Sequence, residues 1–266
     1  IAQLNYFNQE KIGIDPRPNP DDGTVDINYT VEEKSSDQLE LSAGWGGFIG
    51  LTGTLGISFN NFSVRNIWKK QAWDPLPMGE GQKLSLRVQS NGRAFRSYNF
   101  SFTEPWLGGN KPNSLSVSIF HTVNSFDYRQ SDDPLHKAFF NTGINVSMGK
   151  RLKWPDDYFS LSHSLAFSRF DVDRYYTWAY PQGISTSVTF MTNLSRNSID
   201  NPTFPRSGSS FSLSGTLTPP FSLLGLNKDN LLIEYHKWML DASWFSPLVG
   251  KFVLHTRAHL GFLGSY

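Results

Sequence analysis

From residue 39 onward the chain alternates. Leu39, Leu41, Ala43 and Trp45 fall on one side of an extended backbone, and Glu40, Ser42, Gly44 and Gly46 fall on the other. Successive side chains of a strand point to opposite faces, so a period of two marks a strand with one apolar face. The same period returns in residues 51–60, 84–89, 97–103, 114–119, 140–148, 159–168, 184–194, 210–217, 237–244 and 252–262. That pattern predicts about eleven strands. Many of the intervening stretches carry Gly, Pro, Asn and Asp, the residues of turns, so an antiparallel meander is expected.

Residues 1–36 read differently. Leu4, Tyr6 and Phe7 look like the end of a helix, and Ile12 to Ile14 like a short strand. Asp15-Pro16-Arg17-Pro18-Asn19-Pro20 is unfit for the interior of a sheet. Asp21-Asp22-Gly23 is a turn signal, after which Val25, Ile27, Tyr29 and Val31 alternate with polar neighbours as a half-buried strand. Two strands in so short a segment do not bury a core of their own. Residues 1–36 are therefore expected to be the end of a small α+β module, and residues 37–266 a separate all-β unit.

Two all-β architectures alternate in this way. In a soluble sandwich the apolar faces of two sheets meet; in a membrane barrel the apolar face meets lipid. The mean hydropathy of −0.37 looks soluble, and no apolar run reaches the roughly 18 residues of a membrane helix. Neither point excludes a barrel, which shows lipid only every second residue. The polar positions are mostly Ser, Asn and Thr, as in a wet lumen. Aromatic residues collect where strands end: Phe62, Trp68, Trp106, Trp154, Tyr158, Tyr175, Tyr176, Trp178, Trp244 and Phe245. Such girdles suit the headgroup level of a bilayer. The pattern favours an antiparallel transmembrane β-barrel and leaves the sandwich open. An odd strand count, no turn after Phe262, and no signal peptide at Ile1-Ala2-Gln3-Leu4 lead to the expectation that the protein continues beyond both ends. Among the links on the side of residue 36, residues 63–82 stand out as long, basic and aromatic, with Arg65, Trp68, Lys69, Lys70 and Trp73. A segment lying on the membrane surface and a plain insertion both fit.

Candidate chemistry changes this picture little. A net charge of +1 gives no bulk attraction to nucleic acid. The absence of cysteine excludes disulfides and thiolate metal sites within these residues. His163 is assigned, with its serine neighbours, to the polar face, as are His255, Arg257 and His259. Residues i and i+4 of a strand lie about 13 Å apart, so His255 and His259 do not share one metal. Ser162-His163-Ser164 has no carboxylate to complete a triad. No enzymatic activity, metal or cofactor is expected, and the histidines read as lumen lining.

Three stretches are more specific. The first is Tyr6-Phe7-Asn8 leading to Val25-Asp26-Ile27-Asn28-Tyr29-Thr30-Val31-Glu32-Glu33-Lys34. The second is Phe102-Thr103-Glu104-Pro105-Trp106-Leu107-Gly108-Gly109. The third is Asn197-Ser198-Ile199-Asp200-Asn201-Pro202-Thr203-Phe204-Pro205-Arg206-Ser207-Gly208. In this order they resemble the BamA family of outer-membrane barrel assembly factors. The resemblance implies that residues 1–36 end the last POTRA domain and that residues 37–266 begin a sixteen-stranded barrel. About five strands would then follow Tyr266. It implies a bacterial outer membrane location with the N-terminal module in the periplasm, and a non-enzymatic role in folding and inserting β-barrel proteins. The implied partners are nascent outer-membrane β-barrel proteins, outer-membrane lipid and periplasmic-side accessory lipoproteins such as BamD, with no cofactor and no nucleic acid.

In that family the first strand pairs with the terminal strand of an incoming protein at a lateral gate. Here that role carries over to Leu39, Glu40, Leu41, Ser42, Ala43, Gly44 and Trp45. Backbone pairing of this kind is β-augmentation. Trp68, Trp106, Trp154 and Trp244 become membrane-interface aromatics. Two features depart from the family: its Val-Arg-Gly-Phe loop motif does not occur in these residues, and residues 63–82 are longer than the expected turn. A related secretion or translocation barrel, a passive porin and a sugar-binding sandwich stay open as alternatives. The glycines of residues 39–47 mark either a seam that opens or a bend at barrel closure.

Overall fold

A computed structural model describes residues 9–19, 22–32, 37–46, 50–73, 76–92, 94–109, 112–125, 137–174, 182–226 and 232–266. The helix expected around Leu4, Tyr6 and Phe7, and the aromatics Tyr175, Tyr176 and Trp178, lie outside the described residues. Strands β1 (Gly13–Asn19) and β2 (Thr24–Thr30) form a two-stranded antiparallel sheet. The Pro-rich stretch thus joins a ladder, as an outer strand of a two-stranded sheet and not in a sheet interior. Pro16 and Pro18 are two residues apart, so both missing N–H groups would have pointed away from β2, as an outer strand allows.

The remaining strands are β3 (Gln38–Gly46), β4 (Gly50–Phe62), β5 (Gln82–Asn91), β6 (Phe95–Glu104), β7 (Asn113–Ser125), β8 (Ala138–Arg151), β9 (Phe159–Asp173), β10 (Gly183–Asn197), β11 (Gly208–Leu217), β12 (His236–Pro247) and β13 (Val253–Gly264). They form one eleven-stranded antiparallel sheet in simple chain order, with β3 and β13 at its edges. These are the eleven strands the alternation predicts.

Register makes the alternation continuous across strands. Leu41 lies opposite Leu55, Leu55 opposite Val88, and Val88 opposite Tyr98. Further on, Phe100 faces Ile119, Ile119 faces Ile144, and Ile144 faces Phe167. One side of the sheet is therefore apolar throughout, and it is not covered. Leu41 is 74% exposed, Leu86 50%, Leu165 54% and Leu260 63%. Among the described residues, the buried hydrophobic side chains are only Phe62, Val123, Ala138 and Val172. A sandwich would bury this face against a second sheet. An uncovered apolar face of this extent calls for a nonaqueous neighbour, and hydrocarbon is the one that suits a strand meander.

The apolar band has definite limits. On β9 it runs from Phe159 to Phe167 and gives way to Arg169 and Asp171. The rise from Phe159 to Arg169 is roughly 25 Å at a typical barrel tilt of about 40°, the height of a lipid-facing band.

One sequence assignment is corrected here. His163 is on the apolar face, because it shares the parity of Leu161 and Leu165; its serine neighbours face the other way. It lies opposite Thr192, with Nδ1 and the Thr192 Oγ1 3.0 Å apart, and its ring stacks on Phe190 at 5.9 Å. His121 repeats the arrangement with Thr142, at 2.7 Å. Both of these imidazoles thus meet a hydroxyl directly across the ladder, which offsets the cost of a polar group away from water.

The links at the end where β3 begins are built around single side chains. In residues 198–207, one oxygen of Asp200 accepts from the backbone N–H of Asn201 (2.9 Å), Arg206 (3.0 Å) and Ser207 (3.2 Å). Asn201 Oδ1 accepts from Thr203 and Phe204. Gly208 closes the turn at φ +103°, where a Cβ would collide with the Ser198 carbonyl. This is the physical content of the Asp-to-Gly spacing in the third motif. Arg196 joins this link to its neighbour: its Nε donates to Asp156 (2.9 Å) and its Nη1 to Ser198 (2.9 Å) and Ser209 (2.6 Å).

The backbone N–H groups of Arg206 and Ser207, with a smaller contribution from Asn201, hold the Asp200 carboxyl below the ordinary carboxylate range. A depressed folded pKa stabilises the turn above the unfolded value, about 3.9, and this is lost as pH falls through the folded value. Asp200→Asn is expected to lower the melting temperature at neutral pH. The gap to wild type is expected to close on acidification below about pH 4, as followed by thermal melts of the barrel in detergent.

Candidate functional site

The residues singled out for strand pairing, Leu39 to Trp45, all lie on β3. Leu39, Leu41, Ala43 and Trp45 face the apolar side; Glu40, Ser42 and Gly44 face the polar side. Strand β3 has one neighbour among the described residues, β4, with which it pairs without a break from Gln38↔Ser58 to Gly46↔Gly50. Alternate N–H and C=O groups of such a strand point to the open side. Trp45 is 77% exposed, more than the apolar residues of interior strands. The unbroken register gives no sign of a bend at Gly44, whose φ is not in the left-handed region. A Cβ at Gly44 would sit 3.0 Å from Thr52 Oγ1, so a side chain there requires the Thr52 side chain to shift.

Three side-chain features hold β3 to the sheet. Glu40, Gly56 and Arg87 stand in one cross-strand row on β3, β4 and β5. Because Gly56 has no side chain, Glu40 Oε1 reaches over β4 to Arg87 Nη2 at 3.1 Å. A Cβ at Gly56 would lie 3.2 Å from the Glu40 carboxylate. Ser42 Oγ accepts from the Thr54 N–H at 3.1 Å. Gly53 brings the two backbones together, since a Cβ there would meet the Ser42 carbonyl at 2.7 Å. The tie through Arg87 escaped sequence reasoning because it depends on the register of three strands. The glycine at position 56 amid alternating residues was its only trace.

Trp68, Trp106, Trp154 and Trp244 lie at the same end of the sheet, the end at which β3 begins. Trp68 is in the β4–β5 link, Trp106 in the turn after β6, Trp154 in the β8–β9 link, and Trp244 on the last turns of β12. All four are exposed. They are thus arranged as one rim and are not clustered.

The histidines of the polar face have separate partners. Asp241 Oδ2 accepts from Arg257 Nη2 (2.6 Å) and lies 2.9 Å from His259 Nδ1. His255 stacks on Phe245, with ring centroids 4.3 Å apart. That Asp241 joins Arg257 and His259 follows only from cross-strand register, which the sequence does not give.

Comparison with known proteins agrees with this geometry. Residues 78–266 match the Omp85 superfamily domain. The chain is 23% identical, over 285 aligned residues, to the outer membrane protein assembly factor BamA of Neisseria meningitidis serogroup B; the match takes in all of this chain and 32% of that protein. The fold resembles the crystal structure of BamA from Haemophilus ducreyi lacking POTRA domains 1–3, with a TM-score of 0.62 and 21% identity over 99% of this chain and 48% of that one. The chain therefore spans about a third of the curated relative's length and about half of the solved structure. With the family model matching well over half of its length, and an eleven-stranded meander of the same fold, this chain belongs to the Omp85 superfamily.

Proposed function

We propose that this chain is the leading part of an outer-membrane barrel that folds and inserts other β-barrel proteins. In this reading β3 is one side of a lateral gate, and Leu39, Glu40, Leu41, Ser42, Ala43, Gly44 and Trp45 pair with the terminal strand of the incoming protein. The observation that carries it is the β3 edge: a strand with an uncovered apolar face, one neighbour among the described residues, and backbone groups directed to the open side. Residues 1–36 are the end of a periplasmic POTRA domain, and residues 37–266 are the barrel portion. The partners are nascent outer-membrane β-barrel proteins and, on the periplasmic side, accessory lipoproteins such as BamD. Trp68, Trp106, Trp154 and Trp244 form the aromatic belt at the periplasmic boundary of the lipid.

The test is disulfide trapping in the full-length protein. Ser42→Cys is expected to crosslink to a cysteine in the terminal strand of a stalled client. Crosslinks that form only to the barrel's own last strand, with the client engaged, would overturn the gate. A passive pore yields no client crosslink at all.

The same reading makes the Glu40–Arg87 pair a restraint on the gate. Both side chains are about half exposed, so the pair is worth about 0.2–1 kcal/mol. Arg87→Ala is expected to speed amide exchange in residues 38–46 by up to about fivefold, with exchange in β8 to β10 unchanged, as read by hydrogen–deuterium exchange mass spectrometry.

A further inference from the structure

The described residues of the link between β4 and β5, 63–73 and 76–81, are a built element. Ser63, Pro77 and Gln82 at its base are buried. Gln82 Oε1 accepts from the Val64 N–H (2.8 Å), and its Nε2 donates to Glu104 (2.6 Å) and Glu80 (3.1 Å). Glu80 also accepts from Ser63 Oγ (2.9 Å) and pairs with Arg65 (3.4 Å). Asn66 Nδ2 donates to the Met78 carbonyl at 2.8 Å.

Strand parity says which way this element folds. Gln82 shares the parity of Leu84 and Leu86, and Glu104 that of Phe102 and Phe100, so both belong to the apolar, lipid-facing side. Phe62, opposite Gln82, packs edge-on against Phe102 at 6.4 Å and is only 8% exposed. The backbone at Phe62 also bridges to Met78. The link is thus folded up against the outer rim of the sheet and does not cross beneath its polar side. Glu104 makes it continuous with the next turn: one oxygen takes Gln82, and the other accepts the Trp106 N–H at 2.9 Å.

What this scaffold presents outward is Val64, Ile67, Trp68 and Trp73 beside Lys69 and Lys70. Trp68 is 91% exposed. Neither lysine makes an ion pair among the described residues, and Glu80, at the base of the link, is taken by Arg65. An outward-folded segment of bulky apolar and cationic side chains, level with an aromatic rim, matches the chemistry of a bilayer interface.

We propose that residues 63–81 are a surface anchor that seats the rim beside β3 on the anionic phospholipid headgroups of the adjoining leaflet. The apolar side chains enter the headgroup boundary and the two lysines meet lipid phosphate. The proposal rests on the membrane-spanning reading of the sheet, and its test separates the two. A fluorescent label is placed at Gln71→Cys, exposed within the link, and in a second variant at Ser246→Cys, on the apolar side near the same end of β12. Each full-length protein, free of other cysteines, is reconstituted in phosphatidylcholine vesicles carrying a headgroup nitroxide, with or without phosphatidylglycerol.

The expected result is quenching at 71 comparable to that at 246, deeper with phosphatidylglycerol, and lost in the Lys69→Gln/Lys70→Gln background. Quenching at 246 with none at 71 overturns the anchor and leaves the membrane-spanning reading standing. In that case, failure of aqueous iodide to quench 71 identifies a protein as the occupant. Quenching at 71 indifferent to phosphatidylglycerol overturns the assignment to anionic lipid. Quenching at neither position overturns the membrane-spanning reading and the anchor with it.

Discussion

The structure depends on one constraint: inside hydrocarbon, every backbone N–H and C=O must find a partner within the protein. A meander answers it in the simplest way, because each strand from β4 to β12 is paired on both sides by its chain neighbours. Once the ladders are set, the side of every side chain follows. The uncovered apolar face, the serine- and asparagine-rich polar face and the rim of tryptophans are all consequences of register repeated from β3 to β13. Conventional core packing contributes little, since few hydrophobic side chains are buried among the described residues. Stability resides in the ladders and in transfer of the apolar face to lipid.

Where the ladders end, backbone groups lose their partners and individual polar side chains take over. Asp200 gathers three N–H groups of one turn, Arg196 joins two links, and Glu104 joins the turn at Trp106 to the base of the β4–β5 link. These residues explain why turns between otherwise anonymous strands carry recognisable motifs. In Asp200 to Gly208 the acid supplies the acceptor and the glycine supplies a conformation at φ +103° that no side chain fits. The proline at 205 has no N–H to offer, and the Asp200 acceptor is met by the two residues that follow it.

Strand existence was legible because a period of two needs no knowledge of neighbours. Face was legible too, provided parity outranked composition. His163 was assigned to the polar side because serines flank it, yet Leu161 and Leu165 share its parity and decide its face. Partnership was not legible. The Glu40–Arg87 and Asp241–Arg257 pairs need the register between strands, which the lengths of loops and the bulge between Phe59 and Phe62 determine. The β4–β5 link was equally opaque. Its basic and aromatic residues were visible, but its direction over the outer rim depends on Gln82 and Glu104 sharing the parity of the apolar face. The prolines of β1 were read as unfit for the interior of a sheet; in a two-stranded sheet β1 is an outer strand, and spacing by two lets both prolines avoid the ladder.

The gate reading has an energetic consequence. If β3 exchanges one antiparallel partner for another, the backbone hydrogen bonds lost and gained are alike, and their net contribution of about 0.5–1.5 kcal/mol each largely cancels. Selectivity between partners then rests on the side chains that alternate along the new ladder. On the apolar side these are Leu39, Leu41, Ala43 and Trp45, which present bulk of graded size to any incoming strand. On the polar side, Gly44 and Gly46 present none. Meanwhile the features that keep β3 in the sheet, the bond from Thr54 and the span from Glu40 to Arg87, all lie on its β4 side and are untouched by the exchange. In the gate reading, a strand so arranged would keep its place in the sheet while its open edge accepted successive partners of similar backbone and different side chains. A gate for many clients needs that division between a fixed side and an exchangeable one.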